Sequence, residues 1–209
     1  MNILYIVLSI IALLVIWSIV GYFSSRVESA DYTILASQKA YETRLYPSHI
    51  VAQTTVKGSY TEALTQGFRI VAGYIFGGNT KKESIAMTSP VVEKNGTSES
   101  IAMTSPVVAS LEGESHIISF GMPRSYTLET LPTPTDSRVQ IVTIPEKKMA
   151  VIRFSWLRTD ARVQSKKQEL LAALKKDSVT VVGEPQYAGY SAPWTPPWMS
   201  RSEVLVEIK

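Results

Sequence analysis

Two histidines, six methionines and no cysteine set the range of chemistry open to this 209-residue chain. His49 and His116 are the side chains that could act as a base or nitrogen ligand near neutral pH. Neither has an acidic residue at ligand-like spacing, so each reads as a histidine at a strand end. Without cysteine there is no disulfide scaffold, thiolate metal site, Cys nucleophile or lipoprotein acylation. Serines are plentiful, but there is no G-x-S-x-G, no H-E-x-x-H or H-x-x-E-H, no P-loop and no strand–G-x-G-x-x-G–helix. No acid, base or nucleophile can be named, and the chain reads as a non-enzyme. Gly77-Gly78-Asn79-Thr80-Lys81-Lys82 carries two lysines but no helix start after it, which suits a helix termination better than a phosphate cradle.

The methionines are more telling. ESIAMTSPVV occurs at residues 83–92 and again at 99–108, ten identities at a period of sixteen. Asn95-Gly96 between the copies is a hairpin signal. As strands, each copy alternates faces: Ile85, Met87, Ser89 and Val91 on one, Ala86, Thr88 and Val92 on the other. A two-residue turn puts Met87 and Met103 on opposite faces, and a three-residue loop puts them on the same face. Two readings stay open. The methionines fill gaps in ordinary barrel strands, or at least one lines a pocket for a flat apolar ligand.

The elements that must position these residues begin with a membrane segment. Residues 3–20, ILYIVLSIIALLVIWSIV, carry no charge, and roughly 20 such residues span a bilayer core. Trp17 and Tyr22 fall near one end, where aromatics favour the interface. The alternative is a cleaved signal peptide, against which stand the missing basic start and the long apolar core. Arg26 after the span mildly favours a cytoplasmic C-terminal domain, and the side is left open. The expected organisation is an anchor at 1–23, a linker at 24–37 with a short strand near 32–35, and one domain at 38–209. With 21 basic and 18 acidic residues and no long basic tract, nucleic acid is not an expected partner, and protein partners are unspecified.

Strands are expected at 41–46, 49–56, 116–122, 138–144, 149–156, 179–182, 186–191 and 204–208. Ser59 and Glu62 form a capping box, and Leu64, Phe68, Val71 and Ile75 follow on one helical face. Gly77-Gly78 suits its termination. A second helix is expected over Asp160–Lys176, with Val163, Leu170, Leu171 and Leu174 as its stripe and Lys175-Lys176 at its C-terminal end. A proline-rich loop with Trp194 and Trp198 either covers a pocket mouth or forms a rigid lid on the barrel. The pattern predicts an α+β domain with an antiparallel sheet curled into a barrel.

Several segments also resemble a known family. Tyr41-Glu42-Thr43-Arg44-Leu45-Tyr46-Pro47 is similar to its opening Y-E-x-R-x-Y strand. Gly67-Phe68-Arg69 with Tyr74-Ile75-Phe76-Gly77-Gly78-Asn79 resembles its first helix and exit. Residues 85–91 and 101–107 resemble its I-A-M-T-x-P-V signature. Phe120-Gly121-Met122-Pro123, Leu131-Pro132-Thr133-Pro134 and Tyr187-Ala188-Gly189-Tyr190-Ser191 continue the match in order. By these residues the chain over about 31–209 is identified as a member of the SOUL, or haem-binding protein, family. The resemblance implies a distorted antiparallel β-barrel flanked by two α-helices and built as two pseudo-repeated halves. It implies a bound haem or other porphyrin and no known reaction for most members. One branch of the family carries a proposed iron-ligating His directly after the Arg of the opening strand; Leu45 stands there in this chain. Other members are thought to hold the macrocycle in an apolar groove beside the first helix. That carry-over points to Phe68, Val71, Ala72 and Ile75 as groove residues and Arg69 as a propionate partner, with Met87, Met103 and Met149 as weak thioether candidates. The same helix face could instead pack onto the barrel. The metal ligand stays unassigned. The barrel is also similar to effector-binding domains of some bacterial regulators, which take organic cations. An acidic residue inside the cleft, such as Glu42 or Glu129, would favour that ligand class, and its absence would favour a porphyrin. A ligand-free interaction barrel at the membrane is the third reading.

Overall fold

The computed structural model describes residues 2–24, 28–81, 98–112, 115–157, 159–191 and 194–209. Helix α1 (Asn2–Ser24) comes first, then β1 (Glu28–Ser29), β2 (Thr33–Ser37), β3 (Glu42–Tyr46), β4 (His49–Lys57) and α2 (Tyr60–Ile75). Next are β5 (Asn79–Thr80), β6 (Thr104–Ser105), β7 (Val107–Glu112), β8 (Ser115–Gly121), β9 (Thr133–Pro134), β10 (Gln140–Ile144) and β11 (Lys147–Phe154). Helix α3 (Asp160–Lys176), β12 (Val181–Gly189), a short 3₁₀ turn (Pro197–Met199) and β13 (Ser202–Ile208) complete the chain.

Nine strands form one curled antiparallel half-barrel in the order β10-β4-β8-β7-β12-β13-β11-β3-β2. The order has internal symmetry. In one half β4 leads into α2 and the β7–β8 hairpin; in the other β11 leads into α3 and the β12–β13 hairpin. In each half the strand before the helix pairs with the second strand of the hairpin. The leading strands are exchanged: β3 runs into β4 but pairs with β11, and β10 runs into β11 but pairs with β4. This is the pair of related halves that the family resemblance implied.

Strand alternation divides the sheet into two faces. On the convex face, α2 packs through Val71, Tyr74 and Ile75 onto Ala52, Ile118 and Phe120. Helix α3 packs through Val163, Leu170 and Leu174 onto Ile152, Val204 and Val206. The concave face carries a smaller cluster of Tyr46, Met149, Val151, Ala188, Tyr190 and Leu205. The capping box holds as read: both the Ser59 backbone N–H (3.2 Å) and Oγ–H (2.7 Å) donate to Glu62 Oε2. Gly77 takes φ 113° just past the end of α2, a conformation that favours glycine. Gly67 brings α2 close to β8, where a Cβ would strike Ile118.

Asn79 ties the exit of α2 to the second signature copy. Its amide N–H₂ donates to Tyr74 O (2.8 Å) and Glu99 O (2.7 Å), and its Oδ1 accepts from the Glu99 N–H (3.0 Å). The second copy is not one continuous strand. Ile101 is buried against α2, Thr104-Ser105 pair with β1, and Pro106, which has no N–H to donate, separates them from β7. The first copy, Met87 and the Asn95-Gly96 turn lie outside the described residues.

Candidate functional site

The helices cover the convex face and leave the concave face open as a cleft of about 240 Å³. Its apolar walls come from alternate residues of several strands, among them Val51, Val108, Ile117, Met149 and Leu205. His49 enters this wall because it shares strand parity with Val51 and Gln53, which also line the cleft. A carbonyl can only accept, so the 2.9 Å contact between His49 Nδ1 and Pro47 O is an N–H donated by Nδ1. The neutral ring then keeps its lone pair on Nε2. A backbone carbonyl fixing the far nitrogen in this way is the usual support of a metal-binding imidazole.

Tyr46 and Tyr190 also line the cleft. Arg44 Nη1 donates to Tyr46 Oη at 3.2 Å. The Tyr190 hydroxyl is buried without a hydrogen bond of normal geometry, although it faces Tyr46 and Glu203. Burial pushes the pKa of both phenols up, with the Glu203 charge adding to the rise, so both stay protonated donors near neutral pH. Glu203 itself is fully buried, shared between Arg44 Nη1 (2.9 Å) and Arg201 Nη2 (2.7 Å). Arg201 also stacks on the Tyr190 ring at 3.9 Å. Glu203, which lies close to the cleft's phenols, is therefore neutralised by two guanidinium groups. Among the described residues no carboxylate lines the cleft, and the lining Lys147 donates to Glu207 at 2.6 Å. Glu42 bonds Arg44 Nε at 2.8 Å, and neither it nor the exposed Glu129 is a lining residue.

The sequence profile of the SOUL heme-binding protein family matches residues 27–207. The chain belongs to that family. No curated protein matches it. Among solved structures, the C-terminal domain of EcmrR has a TM-score of 0.57 at 9% identity, over 81% of this chain and 98% of that one. A protein described as a hydrolase from Listeria innocua gives 0.50 at 12% identity, over 84% and 94%. An uncharacterized conserved protein from Listeria innocua gives 0.51 at 13%, over 83% and 94%. At these identities the likeness is one of fold.

Within this SOUL-family chain, the helix face named by the resemblance turns toward the sheet. Val71 and Ile75 have no exposed surface, and Ala72 is buried. Phe68 is half-buried, its ring 5.3 Å from that of Phe120. Arg69 is exposed on another side of α2. Met103 is half-buried just before β6, and Met149 lines the concave cleft. The structure thus brings Phe68, Val71 and Ile75 into one core cluster, without Arg69. Sequence reasoning missed His49 and Tyr190 as cleft residues. The signal was present for His49, two residues before Val51 on the same strand face. Its meaning depends on which face the helices cover. Among the described residues no group of three or more His, Asp or Glu side chains is placed to hold a metal ion.

Proposed function

We propose that this protein is a membrane-anchored tetrapyrrole-binding protein, a carrier, buffer or sensor rather than an enzyme, and that the concave cleft is its seat. The observation that carries the reading is the meeting, on one apolar wall, of an imidazole whose Nδ1 bond leaves Nε2 to offer and a buried phenol whose O–H makes no hydrogen bond of normal geometry among the described residues. These donors fit a haem: Nε2 would hold the iron, and the Tyr190 O–H would bond a polar edge of the macrocycle. When bound, the haem supplies its iron as the acceptor of that nitrogen. A cleft of about 240 Å³ lies below the roughly 300–1,000 Å³ that engulfs a drug-sized ligand. The macrocycle would therefore enter edge-first and keep part of its rim outside. The lining, without a carboxylate among the described residues, favours a porphyrin over an organic cation. Helix α1, long and apolar enough to cross a bilayer over Ile3–Tyr22, would tether the domain.

A second reading keeps the groove beside α2, with Phe68, Arg69, Val71, Ala72 and Ile75, and with Met87 and Met103 in the signature copies. The exposed Phe76 (62%) and half-buried Phe68 favour it by leaving an apolar rim at that helix. Hemin titration of the full chain in detergent micelles separates the two. The expected result is a saturable Soret change at about one equivalent, whose position and iron spin state change in His49→Ala and whose affinity falls in Tyr190→Phe. An unchanged spectrum in His49→Ala, with binding lost in Phe68→Asp, would move the site to α2. Unsaturable binding in every variant would sink both.

A further inference from the structure

All four tryptophans of this chain gather at one place. Trp17, in the penultimate turns of α1, donates its indole N–H to Trp194 O at 2.8 Å. Its ring meets the Trp198 ring edge-on at 5.3 Å. Gly21, one turn further along α1, is buried, and a Cβ there would run into Pro196. Trp156 joins the group through its backbone: its N–H donates to Pro197 O (3.0 Å), and its carbonyl accepts from Ser200 Oγ (3.2 Å). The result is a surface of two tied segments beside the end of α1. Its side chains face outward: Trp156 is 55% exposed, Leu157 65%, Trp194 59% and Trp198 44%. Residues 194–200, Trp-Thr-Pro-Pro-Trp-Met-Ser, contain no charge that a nonpolar contact would strip of water.

We infer that this surface is a second membrane contact, seated at the boundary between headgroups and acyl chains of the leaflet that the C-terminal end of α1 reaches. The inference rests on the anchor reading above. Its location is what carries it. The surface is continuous with the span itself, and Trp17 stands five residues, about 7 Å of helix, before Tyr22 at the span's end. A loop packed against Trp17 and Gly21 therefore stands at the level of the outer span, where indole rings are enriched because one edge is apolar and the N–H is polar. Trp156 and Leu157 extend the same surface onto the β11–α3 turn. The loop joins β12 to β13, the strands that bring Gln186, Tyr190 and Leu205 to the cleft. Seating it on the bilayer holds the cleft at a fixed height above the lipid, where a membrane-soluble macrocycle is available.

The chain lacks cysteine, so single sites can be spin-labelled without other changes. Full-length Leu157→Cys, reconstituted in phosphatidylcholine vesicles, should collide with oxygen several-fold more, relative to a water-soluble nickel chelate, than a label at exposed Lys39→Cys. Trp194→Cys should behave likewise from the other segment. A ratio equal to that at Lys39→Cys overturns the inference. So does suppression of both collisions with dipolar broadening, which marks coverage by a second copy. Ile11→Cys, in the middle of α1, reports the span separately. A lipid signature there beside a water signature at Leu157→Cys defeats only the present inference, and a water signature at Ile11→Cys defeats the anchor itself.

Discussion

Arg44 and Glu203, 159 residues apart in sequence, meet at 2.9 Å beneath the cleft, with 3% and 0% of their side chains exposed. They reach each other because β3 and β13 flank β11 on either side, and both residues point to the concave face. Burial alone would lower the Arg44 pKa, but the Glu203 charge and the Tyr46 hydroxyl outweigh it and raise it. The two ends of the pair are not equivalent. Removing Arg44 leaves Glu203 with Arg201, whereas removing the carboxylate takes the acid from buried Arg201 and leaves buried Arg44 only the more exposed Glu42. Glu203→Gln should therefore destabilise the domain by about 3–5 kcal/mol. Arg44→Met should cost about 1–3 kcal/mol, nearer the value of a charged hydrogen bond. Thermal melts in mild detergent would check this. If Arg44→Met proves the more damaging, the shared-carboxylate account is wrong.

Tyr74 makes the α2 exit sensitive to alkali. Its O–H donates to Pro132 O at 2.9 Å, a bond that only the phenol form can make. Burial, and secondarily Tyr126, push its pKa from 10.0 up to about 12. A raised acid favours folding while both states hold the proton, so its contribution is complete below pH 10. It is lost between about 10 and 12, as the unfolded chain ionises first and the folded one follows. The melting temperature should fall across that window, and the fall should be shallower in Tyr74→Phe, which starts lower by the lost hydrogen bond, about 1 kcal/mol. Parallel slopes for the two proteins would place the alkaline sensitivity elsewhere.

Local signals in the sequence served well where the physics is local. Ser59–Glu62 and the spacing from Leu64 to Ile75 locate α2, and Thr159, whose side chain accepts from the Arg162 N–H, begins α3 at the expected Asp160. Strand ends drifted where backbone irregularity hides in composition. Two expected strands, 179–182 and 186–191, are one strand with a bulge between Val182 and Gln186, around Gly183 at φ 78°. The cleft was less legible because it depends on pairing between distant strands. His49 looks like any strand-end histidine until β10 and β8 are set on either side of β4 and the helices are known to cover the opposite face. The Arg44–Glu203 pair has no short-range signature at all. The apolar face of α2 is equally consistent in sequence with a groove and with a core, and the packing of Val71 and Ile75 with Ile118 became visible only with the sheet in place.

The contact between α1 and the proline-rich loop can be broken from either side, and Gly21 offers the cleaner cut. A side chain there meets Pro196, whose ring is fixed in the backbone and cannot swing aside as a flexible side chain would. Glycine is thus a packing requirement at this helical position. Gly21→Leu should push the loop off α1, break the Trp17–Trp194 hydrogen bond and separate the Trp17 and Trp198 rings. The sheet and its two convex cores lie outside this contact, so the domain's melting temperature should change little, by the order of one surface hydrogen bond, about 1 kcal/mol or less. Tryptophan bands in the near-ultraviolet circular dichroism spectrum should weaken, because coupled, immobilised indoles produce them and freely rotating ones do not. Gly21→Ala should have the same direction with smaller size. A spectrum indistinguishable from that of the parent protein would mean that helix and loop do not touch in solution.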